Sequence, residues 1–153
     1  MASSTSAKLA LDKLSDSGLT LEDFKALHMD VLDGAETAAI GITKHAHPTL
    51  VINYMDPWHP GKPLSPYPKH PPFRRYRFLG DPLPKDVKGK PIRYIQPPKS
   101  GCCAYFPTTV DWVEVKDDHE FDLCITEGEI KASAACKAGL RCIGLGGVSN
   151  FSN

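Results

Sequence analysis

Residues 124–132 read Cys-Ile-Thr-Glu-Gly-Glu-Ile-Lys-Ala, and the strongest signals for the fold lie in and around these residues. An apolar run ends at Glu127, a glycine follows at once, and a helix-like segment leads into a second apolar run. This order predicts a buried strand, a tight turn, a helix closed by Gly139 and a second strand. The two strands are expected to be parallel because a helical crossover generally joins parallel neighbours. The predicted spans are 121–126 for the first strand, 129–138 for the helix and 140–145 for the second strand.

The composition is typical of a globular protein with one domain. At 153 residues, with 41% hydrophobic and 24% charged residues, the chain is large enough to bury an extensive core. It contains no run of about 20 apolar residues that would span a membrane, and its polar first residues lack the apolar centre of a signal peptide. Its five cysteines include no Cys-x-x-Cys pair, which favours free thiols in a reducing compartment. We therefore expect a cytoplasmic protein without a membrane partner.

Charge is distributed unevenly along the chain. Residues 54–100 hold ten lysines and arginines against three acidic residues, whereas the rest of the chain holds eight against fifteen. Twelve of the fourteen prolines lie in the same segment. The chain is thus acidic at both ends around a basic, proline-rich and aromatic centre, and this pattern favours nucleic acid as the partner of the centre.

Local patterns divide the chain into four parts. Residues 1–7 are expected to form a disordered tail, and 8–48 a helical segment with helices over 8–17, 21–28 and 35–40. Residues 49–115 are expected to form a β region with strands near 49–54, 74–79, 92–95 and 104–106, while 110–115 fit either a strand or a short helix. Residues 116–153 contain the strand–helix–strand unit. The predicted class is α/β, with an α+β N-terminal region that leads into this unit.

The candidate catalytic residues are Glu127, Glu129 and Lys131. Glycine permits a tight turn after Glu127, so its carboxylate projects at the carboxyl edge of the sheet, where α/β proteins commonly place ligand chemistry. Such a carboxylate suits metal coordination or proton transfer to a phosphate ester oxygen, and Lys131 could approach an anion. Glu129 falls in the first helical turn, where the helix dipole favours an acid. The alternative is that both glutamates only stabilise the start of the helix.

The basic centre is the candidate nucleic-acid-binding region. Basic side chains neutralise phosphates, and aromatic faces can stack on unpaired bases. The residues expected to bind nucleic acid are Arg74, Arg75, Tyr76, Arg77, Lys90, Arg93 and Lys99. The other aromatic residues interleaved with the basic residues are Tyr67, Phe73, Phe78, Tyr94 and Tyr105. The alternative is a solvated strand face whose aromatic rings belong to the core.

A glycine-rich loop, Gly144-Leu-Gly-Gly147, follows the second strand of the C-terminal unit. It resembles a phosphate-cradling loop but lacks the Gly-Lys-Ser/Thr ending of a P-loop. Tight backbone packing or a turn beside Glu127 is the simpler interpretation, and nucleotide binding is the alternative.

The C-terminal run 121–148 resembles the opening half of a TOPRIM domain. The sequence Thr-Glu-Gly-Glu-x-Lys-Ala at 126–132 is similar to the form found in a family of primase-associated, TOPRIM-like domains of phages, plasmids and other mobile elements. The similarity continues upstream in short pieces whose order matches, so it covers most of the chain. These pieces are Leu-x-x-Ser-Gly-Leu at 14–19, Leu-Val-Ile-Asn-Tyr-Met-Asp at 50–56, Arg-Tyr-Arg at 75–77, Arg-Tyr-Ile-Gln-Pro-Pro at 93–98 and Tyr-Phe-Pro with Asp-Trp at 105–112.

The resemblance implies a role in DNA replication. In TOPRIM domains the motif glutamate, here Glu127, is associated with nucleotidyl transfer or phosphodiester chemistry, and a later strand contributes an Asp-x-Asp pair that binds Mg²⁺. No such pair follows Gly147, and the acidic pair at 117–118 precedes the motif. Glu127 is therefore expected to bind Mg²⁺ weakly unless acids outside this chain complete the site. Catalysis by this chain is expected to be weak or absent.

Two functional hypotheses follow. The leading one is a nucleic-acid-binding, primase-associated TOPRIM-like domain of a mobile-element or phage protein, which binds a DNA single strand or a primer-template. The alternative is a non-catalytic interaction module, either a homodimer or an inhibitor of a host replication or defence protein. It rests on the open sheet edge that half of a TOPRIM sheet would leave.

Overall fold

The computed structural model describes residues 3–66, 70–120 and 122–147, and it confirms the predicted mixture of helices and strands. These residues contain five helices, at Ser4–Ser15 (α1), Leu21–Ala26 (α2), Gly34–Ala39 (α3), Trp112–Val115 (α4) and Glu129–Lys137 (α5). They contain seven strands, at Met29–Leu32 (β1), Thr49–Asn53 (β2), Arg74–Phe78 (β3), Tyr94–Ile95 (β4), Ala104–Tyr105 (β5), Leu123–Glu127 (β6) and Arg141–Leu145 (β7). Within the described ranges, no helix is long and apolar enough to cross a membrane.

Helix α1 starts earlier than the sequence pattern indicates. The side chain of Ser3 caps the helix by accepting a hydrogen bond from the backbone N–H of Ser6. The expectation of a disordered tail over 1–7 is therefore wrong for 4–7, and residues 1 and 2 lie outside the described range. The pattern missed this start because the first turn is polar, whereas the prediction relied on apolar spacing.

Reciprocal capping boxes start the next two helices. The Thr20 hydroxyl accepts from the Asp23 N–H, and the Asp23 carboxylate accepts from the Thr20 N–H. Asp33 and Glu36 form the same arrangement at the start of α3. In each helix the cap satisfies an N–H donor of the first turn, which has no acceptor within the helix.

Strand β1 is an element that the sequence prediction missed, because the 8–48 segment was expected to contain three helices and no strand. It pairs antiparallel with β2, so that Met29 lies opposite Ile52. His28 adopts a positive φ of 52°, which turns the chain from α2 into the strand. The β2 residues that stabilise β1 come about twenty positions later, so no local pattern could indicate it.

The first sheet is antiparallel, with the order β1-β2-β3-β4. Its inner strand β2 is buried from Thr49 to Ile52. On β3 burial alternates, since Tyr76 and Phe78 are buried while Arg75 and Arg77 lie on the other face. The two arginines therefore share one side of this sheet.

The second sheet has the order β5-β7-β6. Strands β6 and β7 are parallel, as predicted, with Cys124 opposite Cys142, whereas β5 runs antiparallel to β7. Strand β5 comes from the 49–115 part, so this part and the 116–153 part share a sheet. The expectation that the first strand of the unit is fully buried is wrong, because β6 lies at the sheet edge with Leu123 and Ile125 exposed. Phe121, the predicted first residue of this strand, lies outside the described residues.

Helix α5 packs on strand β7 so closely that their backbones are nearly in contact. A Cβ atom added to Gly144 would lie 3.0 Å from the carbonyl oxygen of Gly128 and 3.2 Å from the Cβ of Ala132. Glycine at 144 thus permits the close approach of helix and strand, which agrees with the tight packing predicted for the glycine-rich residues 144–147. Gly139, at a φ of 92°, follows the helix in the predicted left-handed conformation.

One hydrophobic cluster contains residues of both sheets. Its centre includes the ring of Tyr54, whose centroid lies 4.7 Å from that of Phe73 and 5.1 Å from that of Tyr105. Edge-to-face pairs of this kind add to the stabilisation from burial alone. The antiparallel sheet and the strand–helix–strand unit are therefore held together by a shared core.

We expect Val51→Ala to destabilise the fold and Val87→Ala to leave it nearly unchanged. Val51 is buried on β2, whereas Val87 is 99% exposed on a turn. Removal of the two valine methyl groups should lower the free energy of unfolding by about 2 kcal/mol at position 51 and by less than about 0.5 kcal/mol at position 87. Urea denaturation followed by circular dichroism measures both, and equal losses would contradict the assignment of β2 to the core.

Candidate functional site

Glu129 is a buried carboxylate at the point where the two sheets meet. It is the first residue of α5, and its side chain is 0% exposed. Its Oε1 atom accepts a hydrogen bond of 2.7 Å from the Tyr54 hydroxyl and one of 2.6 Å from Nη1 of Arg75. Tyr54 follows β2 and Arg75 lies on β3, so these three residues, here called the Glu129 cluster, join the antiparallel sheet to α5.

The electrostatics of the Glu129 cluster preserve its hydrogen bonds. Burial raises the pKa of the Tyr54 hydroxyl, and the Glu129 carboxylate raises it further. Burial lowers the pKa of the Arg75 guanidinium, but the charge of Glu129 outweighs this effect and the pKa is raised overall. Tyr54 therefore keeps its proton and Arg75 its charge in neutral solution, which makes both of them donors to Glu129.

Tyr94 supports the two arginines that share one face of β3. The guanidinium carbons of Arg75 and Arg77 lie 4.6 Å and 4.9 Å from the centroid of its ring. Such cation–π contacts stabilise a guanidinium and limit its movement. Tyr94 lies opposite Arg77 on the neighbouring strand β4, so strand pairing sets the contact.

The glycine-rich loop leaves room for Arg75. A Cβ atom at Gly146 would lie 2.6 Å from Nη1 of Arg75, which is closer than Cβ atoms approach other heavy atoms. The loop therefore brings its backbone against the guanidinium that neutralises Glu129. This contact agrees with the structural interpretation of Gly144–Gly147, since the loop serves packing beside the Glu127 corner.

A cleft of about 390 Å³ opens beside the Glu129 cluster, at the carboxyl ends of β6 and β7 and at the start of α5. We call it the basic cleft. Its charged lining residues are the basic Lys13, Arg75, Arg77, Arg93 and Lys131 and the acidic Glu127 and Glu129. Its other lining residues are Ser17, Tyr94, Gly128, Ile130, Gly146 and Gly147. The cleft thus contains all three candidate catalytic residues and three of the predicted nucleic-acid-binding residues.

The other predicted nucleic-acid-binding residues do not line the basic cleft. Arg74 and Tyr76 lie on the opposite face of β3, and Tyr76 is buried in the structure. Lys90 is exposed in a turn in which its backbone N–H donates a hydrogen bond to the Asp86 carboxylate. Lys99 is also exposed and does not line the cleft. Among the interleaved aromatic residues, Phe73, Phe78 and Tyr105 are buried, while Tyr67 lies outside the described residues. The aromatic residues that the structure describes thus belong largely to the core.

Lys13, Ser17 and Tyr94 are cleft residues that sequence reasoning missed. Lys13 and Ser17 lie at the end of α1, more than a hundred positions before α5, and nothing in the local sequence links them to Glu127. Tyr94 was available as an aromatic residue of the basic centre. Its contact with two arginines depends on the pairing of β3 and β4, which the sequence pattern did not specify.

The charges of the cleft favour an anion. Lys13 pairs with Asp16 at 3.0 Å, and Arg75 pairs with Glu129. Among the described residues, no carboxylate forms an ion pair with Arg77, Arg93 or Lys131, which are opposed only by the exposed carboxylate of Glu127 in the lining. Two net positive charges therefore remain in the cleft.

The residues present do not fit Mg²⁺. This cation takes carboxylates and water at near-octahedral geometry, whereas the cleft offers one carboxylate, Glu127, beside several cationic side chains. The second carboxylate is engaged with Arg75, and its remaining oxygen, Oε2 of Glu129, is fully buried. In the described ranges, no group of three histidine, cysteine or acidic residues could hold a metal ion. The exposed Glu127 carboxylate is at most a single ligand.

We expect Glu129→Gln to destabilise the protein by about 3–5 kcal/mol, because it leaves the buried guanidinium of Arg75 without its counter-charge. Asp16→Asn removes the exposed partner of Lys13 and should cost less than about 1 kcal/mol. Thermal and urea denaturation measure both losses.

The pairing itself is tested with a double-mutant cycle. Arg75→Gln alone should also be strongly destabilising, and the double variant should lose at least about 1 kcal/mol less than the two single losses combined. Additive losses would show that Glu129 and Arg75 act independently.

Comparison with known proteins gives one match. A family model described as a domain of unknown function (DUF3854) matches residues 111–153. This region contains α4, β6, α5 and β7, so it includes Glu127, Glu129 and Lys131 but not the arginines of β3. No curated protein and no solved structure matches the chain. The C-terminal part of the chain is thus similar to a family whose function is not described.

Proposed function

We propose that this chain binds nucleic acid through the basic cleft, as a primase-associated, TOPRIM-like domain of a mobile-element or phage protein. The observation that carries the proposal is the joint placement of Arg77, Arg93 and Lys131 in one cleft beside the carboxyl end of β6. In α/β proteins this edge of a sheet is the usual place of ligand binding. The similarity of 111–153 to a family of undescribed function is compatible with the proposal and does not decide it.

The cleft suits the phosphate backbone. Cationic side chains that neutralise phosphates release counterions, and this release provides much of the affinity of proteins for nucleic acids. The chain has no net charge at pH 7, so attraction depends on the local excess in the cleft. The cleft can therefore attract a polyanion although the protein as a whole cannot.

Recognition of bases is not part of the proposal. The ring of Tyr94 already contacts two guanidinium groups, and Tyr76 is buried, so both rings are engaged within the protein. Contacts to phosphates position a strand but carry little sequence information. Binding is therefore expected to tolerate different sequences.

Glu127 takes no catalytic step in this proposal. Its exposed carboxylate lies in the cleft, yet the cleft lacks the further acids that Mg²⁺ would need. Acids outside the described residues would have to hold such a metal. The activity proposed for this chain is binding.

We expect Arg77→Gln to weaken the binding of single-stranded DNA and Arg74→Gln to leave it nearly unchanged. The two arginines lie on opposite faces of β3, and only Arg77 lines the cleft. Fluorescence anisotropy at several salt concentrations gives the slope of log affinity against log salt. Loss of one phosphate contact should reduce this slope by about 0.7. Equal effects of the two substitutions would place the interface elsewhere.

A second candidate function rests on β6. This strand lies at the edge of its sheet, and Leu123 and Ile125 are 50% and 64% exposed. Parallel strands are normally covered on both faces, and an exposed edge strand invites pairing with another chain. We propose as the alternative that the chain is a non-catalytic interaction module that associates through β6, as a homodimer or with a host replication or defence protein.

The homodimer form of the alternative predicts that Ile125→Lys abolishes self-association. Leu140→Lys is the control, because Leu140 is similarly exposed but lies outside β6. Light scattering after size-exclusion chromatography should show a dimer for the unmodified chain and the control, and a monomer for Ile125→Lys. A monomeric unmodified chain at high concentration would contradict the homodimer.

A further inference from the structure

We propose that the basic cleft binds a terminal phosphomonoester, the charged group at a phosphorylated end of a strand, in preference to the phosphodiesters within the strand. This inference deepens the proposed nucleic-acid binding and rests on it. It concerns the class of group that the cleft selects, which is the same whether the phosphate is carried on the 5′ or the 3′ carbon.

The charge of the cleft matches a monoester. After the pairing of Lys13 with Asp16 and of Arg75 with Glu129, the excess in the cleft is two positive charges. A phosphomonoester carries about −1.5 to −2 at neutral pH, whereas each internal phosphodiester carries a single negative charge. A monoester therefore neutralises the cleft with one group, and one internal phosphate leaves about half of the excess without compensation.

The arrangement of the cations is compact. Arg77 comes from β3, Arg93 immediately precedes β4, and Lys131 comes from the first turn of α5, yet all three line one cleft of about 390 Å³. A track for several successive phosphates would distribute its cations along a path. Lys85, Lys88 and Lys90 are not among the residues that line the cleft.

The start of α5 adds donors for the extra oxygen of a monoester. No side chain caps this nine-residue helix, and its first turn lines the cleft together with Gly128. Backbone N–H groups at such a helix start attract anionic oxygens. A monoester presents three terminal oxygens and a diester presents two, so the convergent donors favour the monoester.

The test compares single-stranded DNA 12-mers of one sequence in fluorescence anisotropy with the full chain. One strand has hydroxyl ends, one carries a 5′ phosphate and one a 3′ phosphate, each labelled at the end opposite the group tested. A fourth strand carries a 5′ phosphate esterified with propanediol, which keeps the phosphorus but has the charge of a diester. We expect about tenfold tighter binding of a strand with a free terminal phosphate than of the hydroxyl and esterified strands.

Two variants with the same chemical change assign the preference to the cleft. Lys131→Gln removes an exposed cation of the lining on a helix that tolerates glutamine, and it should abolish most of the tenfold difference. Lys62→Gln removes an exposed cation outside the lining and should preserve the difference. Circular dichroism melting of both variants verifies that the fold is retained.

The outcomes separate the inference from the proposed function. Preference for only the 5′ or only the 3′ phosphate supports the inference and identifies the end that is bound. Equal affinity for all four strands overturns the inference while nucleic-acid binding stands. Equal effects of Lys131→Gln and Lys62→Gln overturn the assignment to the cleft. Absence of binding to every strand at low salt overturns both the inference and the proposed function.

Discussion

The carboxylate of Glu129 is fully buried, and the need to neutralise it is a constraint on how the antiparallel sheet packs against α5. A buried carboxylate without a partner is strongly destabilising, so Arg75 and Tyr54 must reach it. Because one of them lies on β3 and the other follows β2, the pairing holds the antiparallel sheet against α5. Hydrophobic burial joins the same elements, and this hydrogen-bonded cluster adds directional contacts between them.

The basic cleft is a consequence of that constraint. Alternation along β3 places Arg77 on the same face as Arg75, and Tyr94 on β4 supports both guanidinium groups. Gly146 leaves room for the first of them, while the second remains available to a ligand. The carboxylate of Glu129 is thus paired inside the protein. The basic side chains that line the cleft therefore outnumber the acidic side chains that remain unpaired there. Glu127 thus borders a cleft in which basic side chains outnumber acidic ones.

Elements whose signals are local were predictable. The parallel pair β6 and β7 with its helical crossover, the left-handed Gly139 and the capping box at Thr20 each depend on a few neighbouring residues. The segment 110–115 fitted a strand or a helix, and the carboxylate of Asp111, which accepts from the N–H groups of the next turn, decides for the short helix α4. Strand β1 was not predictable, because its only stabilising partner in the sheet is β2.

The mixed α and β class, the strand–helix–strand unit around Glu127 and the basic centre could be recognised from the sequence, because periodicity, turn residues and charge are properties of short segments. Three features emerged from the packing of distant segments. Glu129 is buried with Arg75, Tyr76 belongs to the core, and one cleft is bordered by Lys13, Arg77, Arg93 and Lys131. Whether a charged side chain is paired or free to meet a ligand depends on which distant strand packs against it, and strand pairing over such separations leaves no trace in the local sequence.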